Sequence, residues 1–399
     1  MLILFELKLI YFYDLSITTW LVIGSAFFAF LIGTVTIFFA RAIFKVELKT
    51  STNIQSSLNF FSDDGKIIKR VLIIFSTIGL LSSIYHWKIL LDKYGSIINV
   101  FLNSYAVYNS RFNEESSDVL PYVWMTSFIA IFIAGIYTAY KGKLTFWATI
   151  PIVAVVLREL ARLTRSGILL GLLEFIISFL LFRHFLLSVD RNRFMINKKK
   201  IFIAVSLILM IMVAGASVVK LARVSNDEIQ GTNRELKQFE GGAFISPAIY
   251  FYASSQIGVL NQYLEKDRER LPFGNSTFYS AYSLLSKLDL TSKPEDQHQG
   301  YLIPAWSNTG TFLRDLHGDF GFMGILIFPY LLGLLCSHFW FRLLTTHQIK
   351  YHILLTHLYL LIGMSFFILA TRFPSWVFGM LILLLLFPII EKFSNKYKT

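Results

Sequence analysis

Residues 308–341 read NTGTFLRDLHGDFGFMGILIFPYLLGLLCSHFWF, and the change of character near Phe320 decides the class of fold. A polar cluster of Arg314, Asp315, His317 and Asp319 runs directly into an apolar stretch from Phe320 to Phe341. A bilayer is crossed by about 20 mostly apolar residues. The stretch is therefore expected to span a membrane, with the polar cluster at its interface with water rather than on a soluble surface.

The whole chain shares this bias. Of its 399 residues, 55% are hydrophobic and 16% charged, against about 25% charged in an ordinary soluble domain, and the mean hydropathy is +0.59. The missing charge is confined to loops between apolar runs. The first such run, 15–40, is too long for the core of a cleavable signal and lacks a basic region close before it followed by a small-residue cleavage site, so a retained helix is expected. A net charge of +12 would suit nucleic acid, but the basic residues are dispersed and no aromatic-basic module accompanies them. No nucleic-acid partner is expected. The single cysteine, Cys336, lies inside an apolar run, which excludes an internal disulfide and a Cys-x-x-Cys metal site.

These patterns predict an all-α integral membrane protein, a polytopic bundle of about nine transmembrane helices near 15–40, 71–91, 121–140, 144–160, 166–187, 201–220, 320–341, 352–370 and 375–390. Lys/Arg bias orients them. Arg41, Lys45, Lys49, Lys66, Lys69 and Arg70 fill one loop, and Arg191, Arg193 and Lys198 to Lys200 another. By alternation Lys141, Lys143, Arg342, Lys350, Lys392, Lys396 and Lys398 fall on the same side. That side is expected to be cytoplasmic, with the N-terminus outside and the C-terminus inside. Three regions follow: an N-terminal transmembrane bundle (1–220), a large extracytoplasmic loop (221–319), and C-terminal transmembrane helices with a cytoplasmic tail (320–399). Within the loop, the semi-apolar, aromatic segment 244–264 predicts an interfacial or re-entrant helix. Leu271-Pro272-Phe273-Gly274-Asn275 predicts a turn, and 279–290 a further helix.

Arginines gather where short outer loops normally exclude them: Arg158, Arg162, Arg165, Arg223, Arg314 and Arg372. Their rigid fork of donors matches phosphate and carboxylate oxygens. Arg158, Arg162 and Arg165, four and three apart, would share one helix face, and three like charges there repel unless an anion lies between them. An anionic lipid-linked substrate, a diphosphate, is the expected ligand. The competing partners are lipid headgroups and neighbours such as Glu159 and Asp315. Asp319, Asp315 and His317 are candidate general bases for a hydroxyl nucleophile, and Asp319 is equally suited to cap a helix starting at Phe320. His347, His352 and His357 turn about 140° from one to the next on a helix, so no metal site is expected there. A Gly-rich phosphate loop, His-Glu-x-x-His and Gly-x-Ser-x-Gly are all absent. The energy for any synthesis would then arrive with the substrate, and no cofactor is expected.

Two segments carry a family resemblance. Thr164-Arg165-Ser166-Gly167 opens a Leu/Ile/Phe helix. Asn308, Thr311 and Phe312, followed by Asp319-Phe320-Gly321 and Gly324, close the large loop. In these, and in its layout, the chain resembles the Wzy-type oligosaccharide repeat-unit polymerases of O-antigen, lipopolysaccharide, capsule and exopolysaccharide biosynthesis. It departs from their pattern at Gly310 and at Leu316-His317, so the resemblance assigns His317 nothing.

The resemblance implies a GT-C-like, Wzy-like membrane fold in the bacterial cytoplasmic (inner) membrane and a metal-independent glycosyltransferase. The implied reaction moves a growing glycan from undecaprenyl diphosphate to the sugar hydroxyl of another lipid-linked unit on the outer face. Arg165, Arg223 and Arg314 would bind diphosphate, Asp319 would orient or deprotonate the acceptor, and Arg158, Arg162, Asn275, Asn308, Thr311 and Arg372 would contact substrate. Tyr301 and Trp306 are candidates to stack on sugars. Membrane lipid, a chain-length regulator and a flippase are the implied partners. An O-antigen ligase would share this logic and differ only in acceptor. A transporter of lipid-linked sugars would be expected to show internal repeats and broken helices, and no repeat is evident.

Overall fold

The computed structural model describes residues 2–7, 14–43, 61, 65–109, 122–189, 206, 210, 247–266, 272–294, 299–303 and 306–396. Arg223, the expected span 201–220 apart from residues 206 and 210, and the basic segment 191–200 lie outside them. In chain order the elements are α1 (Leu2–Glu6), α2 (Ile17–Ile43), α3 (Lys66–Tyr94), α4 (Ile97–Leu102), α5 (Ser104–Asn109), α6 (Met125–Lys141), α7 (Phe146–Ala161) and α8 (Ser166–Val189). There follow α9 (Pro247–Glu265), α10 (Tyr279–Ser286), β1 (Tyr301–Leu302), β2 (Trp306–Ser307), α11 (Phe312–Thr346), α12 (Ile349–Met364), a 3-10 turn (Ala370–Arg372) and α13 (Pro374–Lys396).

The protein is an all-α membrane protein. Helices α2, α3, α8, α11 and α13 are each long and apolar enough to cross a bilayer, while α6 and α12 are apolar but shorter. Helix α7, on the expected span 144–160, has 16 residues and contains Pro151. The only strands among the described residues are the two-residue antiparallel pair, Tyr301 opposite Ser307 and Leu302 opposite Trp306.

Packing divides the chain into two compact units that interleave along the sequence, a different cut from division by membrane side. The first comprises 1–46, 226–338 and 361–374. Its core joins Val22 and Ala26 of α2, Val259, Leu260, Tyr263 and Leu264 of α9, Tyr301 and Ile303 of the hairpin, and Leu313, Leu316 and Ile325 of α11. On the segment expected to be an interfacial or re-entrant helix, α9 is buried at every position from Ser254 to Leu264. Its buried Asn261 finds partners inside the unit. Asn261 Oδ1 accepts from Ser16 N at 2.8 Å and Thr19 Oγ1 at 2.8 Å, and its Nδ2 donates to the Asp14 carbonyl at 3.3 Å. Asn261 therefore accepts from the Ser16 N–H just ahead of α2 and from the Thr19 hydroxyl in its first turn, which ties α9 to the start of α2.

Helices α2 and α11 approach closely at two glycines. A Cβ on Gly33 would collide with the Tyr330 carbonyl, and one on Gly333 with the Phe30 carbonyl. Ser337 Oγ donates to the Thr34 carbonyl at 3.0 Å in the same contact. Small residues serve this purpose between membrane helices, because lipid tails leave van der Waals packing and interhelical hydrogen bonds as the drivers of association. At Gly24, on the same α2, a Cβ would meet nothing within 4 Å.

The second unit comprises 47–225, 339–360 and 375–399. Helix α6 is buried from Thr126 to Ala139 without interruption, which accounts for a helix apolar on every side. Helix α3 presents Ile68, Leu72, Ser76, Gly79 and Ser83 as its buried stripe, at helical spacing. Ser83 Oγ donates to the Ala154 carbonyl at 2.9 Å, and Trp87 Nε1 to the Leu157 carbonyl at 2.8 Å, which fixes α3 against α7.

Candidate functional site

In the first unit, the polar cluster ahead of the apolar run is already helical. Helix α11 starts at Phe312, not Phe320, and is interrupted at Gly321 (φ 64°, ψ −154°), a conformation open essentially to glycine alone. At 1.5 Å per residue the 35 residues of α11 would measure roughly 52 Å, well beyond a hydrocarbon core of about 30 Å. The stretch after the Gly321 kink is by itself long enough to cross, and Arg314, Asp315, His317 and Asp319 precede it.

Asp319 is buried. Its Oδ1 accepts from Ser276 N at 3.0 Å and its Oδ2 from Thr277 N at 2.6 Å. These N–H groups open the turn that leads into α10, where Phe278 N donates to the Gly274 carbonyl and Tyr279 N to that of Ser276. The N-cap expected for Asp319 is thus corrected: it lies inside α11 and caps a distant turn. Asn275, buried, lies on that turn. Burial pushes the Asp319 carboxyl above the ordinary aspartate range, against the downward pull of the Ser276 and Thr277 hydrogen bonds, and the charge of Asp315 adds to the rise. Each oxygen, having accepted one bond, keeps a second lone pair.

Asp315, one helical turn before Asp319 and on the same face, meets Arg372. Arg372 Nη1 lies 3.4 Å from Asp315 Oδ1 with both side chains buried, and the guanidinium sits 5.5 Å from the centre of the Tyr279 ring. Arg314 is held between two aromatic rings, 5.4 Å from that of Tyr263 and 5.2 Å from that of Tyr301. Its Nη2 donates to the Gln299 carbonyl at 2.9 Å. His317 Nδ1 and Tyr263 Oη are 3.0 Å apart, so Tyr263 ties His317 to the ring pair around Arg314. Thr311, buried, opens α11, where Phe312 N donates to the Ser365 carbonyl, and half-buried Asn308 lies between β2 and that start. Of the two aromatics expected to stack on sugars, Tyr301 is buried against Arg314 while Trp306 is 51% exposed.

The second unit holds Arg158, Arg162 and Arg165. The expectation that they share one helix face is corrected, because α7 ends at Ala161, Arg162 is its C-cap and Leu163 has φ 53°. A tight turn results, organised by buried Glu159. The Glu159 carboxylate accepts from the Thr164 hydroxyl and from Gly167 N, and its carbonyl accepts from Thr164 N. Gly167 is required here for space, since a Cβ would collide with the carboxyl carbon and both oxygens of Glu159. Arg158, buried, stacks 4.5 Å from the Trp124 ring, and half-buried Arg165 stands in the turn just before α8.

The sequence reading passed over one pair inside the apolar helices of this unit. Glu174 of α8 is fully buried, with Oε1 3.8 Å from His357 Nε2 of α12. His357 Nδ1 lies 2.7 Å from the Ile353 carbonyl, and its ring stacks 5.0 Å from Trp376. The available signal was an ionisable residue in the middle of an apolar span, which is costly and uncommon. Among the described residues no group of three or more His, Cys, Asp or Glu side chains is arranged to hold a metal. Comparison with family models, with curated proteins and with solved structures finds no match for this chain.

Proposed function

We propose that this protein is a membrane glycosyltransferase of the Wzy type, an oligosaccharide repeat-unit polymerase that uses a polyprenyl-diphosphate-linked donor in surface polysaccharide biosynthesis. One observation carries the reading. Buried Asp319, its carboxyl pushed above the ordinary aspartate range by burial, lies one helical turn from the Asp315–Arg372 pair and just ahead of an apolar helix long enough to cross a membrane. That position suits a lipid-linked sugar whose hydroxyl must be deprotonated at the membrane surface.

In this reading the acceptor hydroxyl oxygen attacks the anomeric carbon of the donor sugar. The bond from that carbon to the diphosphate oxygen breaks, and its electron pair leaves with undecaprenyl diphosphate. Asp319 accepts the hydroxyl proton and passes it to water. Arg314 and Arg372 stabilise charge developing on the leaving diphosphate, the kind of electrostatic contribution that is usually largest in such catalysis. The turn bearing Arg158, Arg162 and Arg165 binds an anionic group of a lipid-linked unit in its own right. The proposed setting is the outer face of a bacterial cytoplasmic membrane.

Purified protein in nanodiscs, given undecaprenyl-diphosphate-linked repeat units, is expected to release undecaprenyl diphosphate and to produce glycans of several repeat lengths on lipid. Products of unchanged length would refute polymerisation. Transport of lipid-linked sugars is a second reading, favoured by the buried Glu174–His357 pair, because ionisable groups inside membrane bundles mark substrate or ion pathways. It predicts movement of the lipid-linked unit across vesicles without elongation.

A further inference from the structure

The segment 272–290 leaves a row of apolar side chains exposed. Ala281, Leu284, Leu285 and Leu288 recur at i, i+3, i+4 and i+7, one face of α10 and the turn after it, and all four are exposed. Leu288 and Leu290 are 62% and 67% exposed, and Phe273, at the start of the segment, 74%. Ser280 instead is buried, and its Oγ donates to the Thr371 carbonyl at 2.6 Å. A water-facing helix would turn the other way, since a contiguous apolar patch left exposed marks an interaction surface.

The occupant is indicated by what this patch joins. Phe273 and Phe278 pack edge-on against Phe320, with ring centres 4.9 Å and 6.3 Å away, and Phe320 stacks on Phe328 at 4.8 Å, inside the apolar run of α11. That run shows an exposed stripe of Met323, Ile327, Leu331 and Leu335 at steps of four, the face a crossing helix gives to lipid. The apolar face of 272–290 therefore continues a lipid-facing surface, while exposed Lys287 and Lys293 lie where anionic headgroups would meet them. Asp319, through Ser276 N and Thr277 N, fastens the segment to α11.

We infer that residues 272–290 form an interfacial paddle that lies in the phospholipid surface, apolar face toward the acyl chains, held at that depth by Asp319. The inference rests on membrane embedding alone and holds whichever reaction the protein performs.

The test uses spin labels on the full-length protein in liposomes of phosphatidylethanolamine and phosphatidylglycerol. Labels are introduced by Phe273→Cys, Leu285→Cys, Leu288→Cys and Lys287→Cys, with wild type, whose only cysteine is buried Cys336, as the blank. At 273, 285 and 288, collisions with dissolved oxygen are expected to exceed those with a water-soluble nickel chelate several-fold, with the order reversed at 287. Nickel access at 285 and 288 equal to that at 287 would place the face in water and overturn the inference. Exclusion of both reagents would show the face covered by protein and overturn it equally. If one variant lowers the melting temperature, Ala281→Cys or Leu284→Cys on the same face replaces it.

Discussion

Arg372 and Asp315 face each other across 3.4 Å with both side chains buried, which ties the 3-10 turn after α12 to the kinked helix that carries Asp319. Breaking a buried pair by removing one partner strands a charge, whereas replacing both with apolar groups is often tolerated. Arg372→Ala is therefore expected to cost about 3–5 kcal/mol, read as a lower melting temperature in detergent. The double variant Arg372→Leu/Asp315→Leu is expected to recover most of that loss. If Arg372 also binds diphosphate, the double variant folds and is inactive.

Asp319 is predicted to hold the turn at 276–277 as well as to act on substrate. Asp319→Ala removes both acceptors from Ser276 N and Thr277 N, at a cost on the order of 1–3 kcal/mol for donors left unsatisfied. Hydrogen exchange at these two amides should accelerate. Asp319→Asn, which keeps one acceptor oxygen, should give an intermediate rate.

The pH dependence of Asp319 has a definite sign. Its folded pKa is raised, so the carboxylate that the proposed proton transfer uses is expected to be lost on an acid limb above the ordinary aspartate range, with the transfer rate climbing as pH rises through it. Stability runs the other way. The folded chain binds this proton more tightly than the unfolded chain, so between the ordinary value and the raised one this contribution weakens as pH rises. Melting temperatures of wild type and Asp319→Asn from about pH 4 to 7 should show it as a difference that shifts against wild type with increasing pH and then levels off.

Two glycine substitutions separate backbone strain from collision. At Gly321 a Cβ would meet nothing within 4 Å, so Gly321→Ala is expected to cost about 1–3 kcal/mol through φ and ψ alone. Gly167→Ala instead drives the Glu159 carboxylate from its place over the helix start, and overpacking of this kind costs about 1–3 kcal/mol. Glu159→Gln in the Gly167→Ala background should bring little further loss, because the carboxylate contact is already gone. Thermal melting of the three variants measures both effects.

The membrane helices were legible because apolar runs such as 15–40 and 320–341 are long, and length alone identifies them. The start of α11 was not, because 314–319 is polar. Those residues are helical because Arg314 finds the Tyr263 and Tyr301 rings and Asp315 finds Arg372, partners far away in sequence. The attachment of Asp319 to Ser276 and Thr277 was hidden for the same reason. The break after Ala161 depends on Leu163 at positive φ, a conformation no leucine announces. The mixed composition of α9 fits an interfacial or re-entrant helix, and only the partners of Asn261, at the start of α2, show why that polar residue lies buried.

The central claim, transfer at Asp319 ahead of the kinked helix, is tested most directly by the glycan profile of cells carrying Asp319→Ala in place of the native chain, with Arg165→Ala in parallel and membrane levels checked by blot. The account predicts loss of the long-chain ladder with single repeat units left at normal protein level. A ladder of unchanged length in Asp319→Ala cells would contradict it.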